Sequence, residues 1–420
     1  MMVERFKRDL IKEFRNYDRM MLMQDLMAGL TVTAVAIPLA LAFGVGSGAT
    51  AASGLVTAII AGVIISALGG AYFQISGPTG AMAAILMSII AQYGLQGVFV
   101  ATVLAGIILV IAGVLHLGKL ISFIPMPVIS GFTSGIAVII AMGQIDNFFG
   151  VTSEGSSVTE KFLSYWQLGF EPNMTAVSIG LFVMLMMLLF PMRYSKYIPS
   201  SLFAIIVATA ANIALNLDVA VVGNIPATLI LDDRLELASL LDFRTVIGLL
   251  APAVSIAVLA MIESLLCGAT ASRMTGARLD SNRELLAQGF GNIIVPFFGG
   301  IPATAAIART SVAVKSGAVT RLTGIFHALG ILLAMFVLAP VMSQIPLAAL
   351  AGVLMVVSWR MNEWVTINFI LKGKFKGAIL KFVVTMLTTI IVDLTTAIMI
   401  GVIIGLVLQA VRFFAPAHYL

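Results

Sequence analysis

The sequence predicts an all-α membrane protein of about fourteen transmembrane segments in a 7+7 inverted repeat, with half-helices in spans 3 and 10. Three observations carry that prediction. Of 420 residues, 60% are hydrophobic and only 10% charged, and the mean hydropathy is +1.10; soluble domains carry about 25% charged residues. Two glycine- and proline-rich interruptions, Ser76-Gly-Pro-Thr-Gly-Ala-Met82 and Phe298-Phe-Gly-Gly-Ile-Pro-Ala-Thr-Ala-Ala-Ile-Ala-Arg309-Thr310, fall inside apolar sequence. Third, Ile124-Pro-Met-Pro-Val-Ile-Ser-Gly131 and Ile345-Pro-Leu-Ala-Ala-Leu-Ala-Gly352 share Ile, Pro and Gly at the same offsets, and their separation nearly equals that between Thr79 and Thr304. Seven spans per copy is an odd number, so the second copy enters the membrane from the opposite side.

In chain order, residues 1–24 form an amphipathic lead in which Arg5, Lys7, Arg8, Lys12, Arg15 and Arg19 mix with acids. It lacks a signal peptide's apolar core and is expected on the cytoplasmic surface. The first repeat, 25–216, holds spans at 25–45, 51–69, 77–93, 96–117, 120–148, 174–192 and 198–216. The second, 245–413, holds spans at 245–270, 284–300, 302–314, 321–343, 346–361, 378–394 and 396–413. With the N-terminus inside, the cytoplasmic loops carry Lys119, Arg193 with Lys196, Arg273 with Arg278 and Arg283, Lys315 with Arg321, and Arg360 with Lys372, Lys374 and Lys376. That satisfies the positive-inside rule. The loops 149–172 and 217–243 are mixed to acidic, with Asp232, Asp233, Glu236 and Asp242. Both termini come out cytoplasmic, and the protein is expected in the plasma (inner) membrane.

The net charge of +5 and pI near 9.4 come from bases in loops between apolar runs, so membrane orientation explains them and nucleic acid is not a partner. The single Cys267 excludes an intramolecular disulfide framework and reads as a small packing residue. His116 and His327 have no metal-ligating neighbour at useful spacing, so both are structural and neither metal nor cofactor is expected. The 23 methionines read as gap-fillers in helix packing.

The interruptions carry the chemistry. Pro302 has no N–H and a fixed φ, so it is expected to open a helix in mid-membrane, with Arg309 about two turns further on. Pro78 and its flanking glycines open the matching half-helix. Helix N-termini carry roughly half a positive charge, and a guanidinium adds a full one, so two facing N-termini make an anion site. The competing roles for Arg309 are snorkelling to the cytoplasmic face and neutralising Glu263. Glu263 lies near the middle of the eighth span, where a carboxylate costs several kcal/mol unless it is paired, hydrated or protonated. It reads as a proton or cation coupling group, against a helix-packing hydrogen bonder. In Ala36-Ile-Pro-Leu-Ala-Leu-Ala-Phe43, Pro38 at mid-depth can break the helix and unwind backbone toward a cavity, with Phe43 as an apolar wall; lipid or core packing is the other reading. Asp393 is expected to cap the turn into span fourteen through Thr395 and Thr396.

The paired interruptions, the segment Ala36 to Phe43, Glu263 and the run from Pro302 to Thr310 together resemble the sulfate permease (SulP, solute carrier 26-like) family of anion transporters, whose animal relatives include prestin and pendrin. The likeness covers the whole chain. It implies a core and a gate domain, with the anion between the half-helices of spans 3 and 10. Carried over by motif, the substrate neighbours are Phe43, Thr79, Gly80, Ala81, Ala308 and Arg309. Glu263 matches an acidic position tied to proton coupling in bacterial relatives. Leu39 stands where some animal members have glutamine, and Ala308 where they have serine, so the pocket has fewer side-chain donors. Sulfate, bicarbonate and dicarboxylates therefore stay open as cargo. The resemblance also implies a homodimer, and the family's usual C-terminal STAS domain is absent from a sequence that stops at Leu420.

The function expected is secondary active anion transport by an elevator-like alternating access, coupled to protons or else to sodium. A nucleobase–proton symporter of the same architecture would need acids or glutamines near both interruptions, and only Glu263 qualifies. A passive anion channel would conduct without saturating. An intramembrane hydrolase would need a Ser–His or paired-His spacing that the sequence lacks.

Overall fold

A computed structural model describes residues 2–118, 125–155, 158–195, 198–373, 376–392, 396–397, 400–401 and 404. The expected cap at Asp393, most of span fourteen, and Lys119, Ile124, Lys196 and Lys374 lie outside the described residues.

The elements are α1 (Met2–Phe14), α2 (Arg19–Gly46), α3 (Ala51–Leu68), β1 (Ser76–Gly77), α4 (Gly80–Val114), α5 (Met126–Gly143), α6 (Ile145–Phe149), α7 (Val158–Leu168), α8 (Met174–Leu189), α9 (Met192–Ser195) and α10 (Ser200–Leu215). There follow α11 (Leu237–Leu241), α12 (Phe243–Gly248), α13 (Leu250–Thr275), α14 (Ser281–Ile294), a 3₁₀ turn (Val295–Phe298), β2 (Thr304–Ala305), α15 (Ile307–Lys315), α16 (Leu322–Met342), α17 (Leu347–Met361), α18 (Trp364–Lys372) and α19 (Lys376–Ile391). Among the described residues, six helices are long and apolar enough to cross a membrane, and α8, α10 and α17 are shorter apolar helices.

Local sequence explains where these helices start and stop. Asp18 caps α2, its Oδ1 accepting the Met21 N–H at 2.8 Å, so the helix begins inside the segment assigned to the amphipathic lead. The helix then runs unbroken through Pro38, contrary to the break expected there. Ala36, Ala40 and Leu41 are fully buried around it, and this packing holds the turn whose hydrogen bond the proline forfeits. Gly94 divides α4 at φ 68°, ψ −175°, a conformation only glycine adopts cheaply, which separates the expected spans 77–93 and 96–117. Pro125 and Pro346 begin α5 and α17 with nearly the same backbone, φ −64° and ψ 139° against φ −63° and ψ 135°.

The second interruption departs from expectation. Pro302 opens no helix; residues 304–305 run extended and pair antiparallel with β1, Ser76 opposite Ala305 and Gly77 opposite Thr304. α15 starts only at Ile307, so Arg309 lies in its first turn. Backbone groups in an apolar interior need partners, and two broken segments lying side by side satisfy each other. A two-stranded sheet with two residues in each strand thus interrupts the helices. The stretch 149–172, which the sequence presents as a loop between spans, contains a helix, α7.

α2, α3, α4, α13, α14, α15 and α16 pack into one group, while α8 packs on α10 and α17, and α5 on α17 and α19. α4 and α14 cross where Gly106 faces Gly289: a Cβ on either glycine would sit 2.7 Å from the other's carbonyl oxygen. Small residues at such crossings are how membrane helices gain close contact without a hydrophobic driving force.

Candidate functional site

The antiparallel β1–β2 pairing brings the two interruptions together in the interior of the first helix group, so α4 and α15 start from opposite ends of one short sheet. Thr79 caps α4, its Oγ1 accepting the Met82 N–H at 3.3 Å and donating to Glu263 Oε2 at 2.9 Å. Glu263, on α13, is half-buried. α15 follows Ala306 with no side-chain cap, so its opening N–H groups meet no capping side chain among the described residues. Ile307 and Ala308 on that first turn are exposed, whereas Arg309 is 1% exposed.

The guanidinium of Arg309 reaches across to the first interruption. Its Nη2 donates to the Pro78 carbonyl at 2.6 Å, and Nε and Nη1 have no hydrogen-bond partner among the described residues. A Cβ at Gly77 would lie 2.6 Å from Nη1, so that glycine makes room for the arginine. Arg309 and Glu263 form no direct ion pair: the guanidinium takes Pro78 and the carboxylate takes Thr79.

Gly80 begins α4 under a lid from three other helices. A Cβ there would meet Ile140 Cδ1 at 2.8 Å, Phe43 Cε1 at 3.1 Å and Met361 Sδ at 3.3 Å. Phe43 is 5% exposed, and Ala81 is buried behind Gly80. The structure therefore brings Phe43, Thr79, Gly80, Glu263 and Arg309 to one place, with Ala308 on its exposed side. Pro78 takes part through its carbonyl. Pro302 is buried in the extended lead to β2, and Pro38 stays within the body of α2.

Several contributors went unrecognised in the sequence. Thr310 Oγ1 accepts the Ile75 N–H at 3.0 Å and the Cys267 thiol at 3.2 Å, so Cys267 does more than fill space. Gln74 Nε2 donates to the Ser264 carbonyl at 3.1 Å, tying the first interruption to α13 one residue beyond Glu263. Away from the interruptions, Arg321 pairs with Glu13 at 2.8 Å and Arg283 with Asp9 at 3.5 Å, so two bases expected only to orient the chain also clasp α1. The Phe6 ring lies 4.0 Å from the Arg283 guanidinium.

A sequence profile of the sulfate permease family matches residues 22–388. The chain belongs to that family. The putative sulfate transporter YvdB of Bacillus subtilis is 38% identical over 411 residues, covering 95% of this chain and 75% of that protein. The bicarbonate transporter BicA of Picosynechococcus is 33% identical over 405 residues, covering 92% and 70%. Among solved structures, the transmembrane domain of a cyanobacterial BicA superposes with a TM-score of 0.83 at 29% identity, covering 91% of this chain and 98% of that one. The overall structure of SLC26A9 superposes with a TM-score of 0.81, covering 95% and 66%; at 20% identity this is a likeness of fold alone. As a sulfate permease family member, the chain is an integral multi-pass membrane protein of a transporter family, not an enzyme.

Proposed function

We propose that the chain is a secondary active transporter of a small anion, sulfate or bicarbonate first and a dicarboxylate next, working by proton-coupled alternating access. The observation that carries this reading is the pairing of the two interruptions, which brings two helix N-termini together with Arg309 buried between them. The anion takes the backbone N–H groups of Gly80 and Ala81 on one side and of Ile307 and Ala308 on the other. Arg309 supplies the balancing charge from behind, and Phe43 closes the apolar side. Glu263 is the coupling group. An ionised carboxylate hydrogen-bonded to the α4 cap repels an arriving anion, so loading is favoured when a proton arrives with it. The loaded site then carries little net charge and crosses apolar surroundings cheaply. Sodium is the alternative coupling ion.

In this reading α2–α4 and α13–α16 form the core that moves against a gate built from α5, α8, α10, α17 and α19. The repeats span 25–216 and 245–413, both termini are cytoplasmic, and two copies make a dimer. The matching helix starts at Pro125 and Pro346 support the repeat.

Uptake of labelled sulfate and bicarbonate into proteoliposomes, with and without an inward proton gradient, tests the proposal. Wild type should concentrate one of these anions in proportion to the gradient, and Glu263→Gln should transport without responding to it. A Glu263→Gln protein that still concentrates substrate with the gradient defeats the proton coupling.

A further inference from the structure

α14 carries Glu284, Gln288 and Asn292 at successive four-residue steps, one face of a helix, and all three are fully buried. A buried amide or carboxylate is costly unless its hydrogen bonds are made. Here the bonds that are made run to the two interruptions and the approach to the first, while Gln288 Oε1 has no partner among the described residues. Glu284 Oε2 accepts the N–H groups of Gly70 and Ala71 at 3.0 and 3.3 Å, fixing the turn that leads into β1. Gln288 Nε2 donates to Ser76 Oγ at 3.1 Å and to Glu284 Oε1 at 2.9 Å. The Asn292 side chain pairs with Ala303 in both directions: Oδ1 accepts the Ala303 N–H at 2.8 Å and Nδ2 donates to the Ala303 carbonyl at 2.9 Å. That exchange is what a neighbouring strand would offer, presented by a helix instead.

From this we infer that Gln288 and Asn292 are positioning residues that set both interruptions, and through them the facing helix N-termini, in the geometry that binds the anion. The inference rests on the proposed function for its last step. Neither residue reaches the exposed turn of α15. Each acts through backbone: Gln288 through Ser76, three residues before the Thr79 cap, and Asn292 through Ala303, immediately before β2. Packing alone does not account for the residue types, since leucine or alanine would fill a buried helix face without desolvating an amide. The strip also joins segments more than two hundred residues apart, so it acts on the site as a unit and not on one half-helix alone.

Amide hydrogen exchange and transport on the purified, reconstituted protein test this together. Gln288→Leu and Asn292→Leu keep side-chain bulk while removing the bonds. Exchange should quicken about tenfold in 70–80 for Gln288→Leu and in 299–306 for Asn292→Leu, with α8 and α17 unchanged. In uptake, the half-saturating anion concentration should rise about fivefold, with a smaller change in maximal rate. Ser76→Ala removes the Gln288 contact from its other end with little loss of volume. It should reproduce the exchange and uptake effects, and combining it with Gln288→Leu should add nothing further. Unchanged exchange, exchange quickened uniformly through the protein, or local loosening with an unaltered half-saturating concentration each overturns the inference. A wild-type protein that moves no anion fails the proposed function instead, and the exchange measurement still decides whether α14 holds the interruptions.

Discussion

Gly80 illustrates how one missing side chain can set a site. Its Cα faces Ile140, Phe43 and Met361 so closely that a methyl group would press on all three, at 2.8, 3.1 and 3.3 Å. Ile140 and Met361 belong to the helices proposed as the gate, and Gly80 to the half-helix proposed to hold the anion. Gly80→Ala should therefore slow uptake several-fold by wedging the two groups apart, a cost of about 1–3 kcal/mol for overpacking. The Ile140→Ala change should restore most of it, because the nearest contact is the far end of that side chain. Uptake by the two single variants and the double variant gives the answer; a double no faster than Gly80→Ala would mean the methyl acts elsewhere. Residue types at this site were readable from sequence because Pro78, Gly80 and Arg309 are conspicuous in apolar runs. Their bonds were not, since Thr79 meets Glu263 and Arg309 meets Pro78 across large sequence separations.

At the scale of elements, most helix bodies followed from hydropathy, and the errors fall where tertiary contacts override local rules. Pro38 stays helical because its neighbours are packed on all sides, and the helix expected from Pro302 starts at Ile307 because residues 304–305 had a strand to join. The polar face of α14 is hard to read in the sequence for another reason: averaging over an apolar span hides three polar residues spaced by four. Gly94 is the cleanest test of an element boundary. A Cβ there meets nothing within 4 Å, so Gly94→Ala probes backbone conformation alone, and at φ 68°, ψ −175° alanine should cost about 1–3 kcal/mol. The melting temperature in detergent should fall by a few degrees, and an unchanged value would show that α4 straightens without penalty. The clasp on α1 gives a second expectation. Arg321 and Glu13 are 5% and 3% exposed in their side chains, and breaking such a pair from one side costs about 3–5 kcal/mol. Glu13→Gln should therefore lower the melting temperature, and also removing Arg321's charge with Arg321→Met should recover part of the loss. If the double variant melts lower than Glu13→Gln, the pair is not what holds α1.

For the whole molecule, the sequence was most informative about class and least about cargo. Low charge, high hydropathy and the paired interruptions led to a membrane transporter of the sulfate permease family, whereas no residue near the interruptions distinguishes a divalent from a monovalent oxyanion. In the proposed site, backbone N–H groups and one guanidinium would recognise charge and size without reading chemical detail. Ligand-linked unfolding separates the candidates: an anion present at ten times its dissociation constant stabilises the folded protein by about 1.4 kcal/mol. Sulfate or bicarbonate should raise the melting temperature, fumarate and succinate should do so less, and uracil should leave it unchanged. A rise with uracil alone would favour the nucleobase symporter.

The antiparallel pairing of Ser76–Gly77 with Thr304–Ala305 also bears on biogenesis. When the first of these segments enters the bilayer, its partner has not yet been made, and at about 5–20 residues per second the wait is on the order of ten seconds to a minute. Throughout that interval peptide groups destined for the sheet must borrow hydrogen bonds from water, the insertion machinery or a neighbouring nascent helix. A ribosome that stalls between the two segments would leave a half-built carrier with unsatisfied backbone in lipid, a natural mark for membrane quality control.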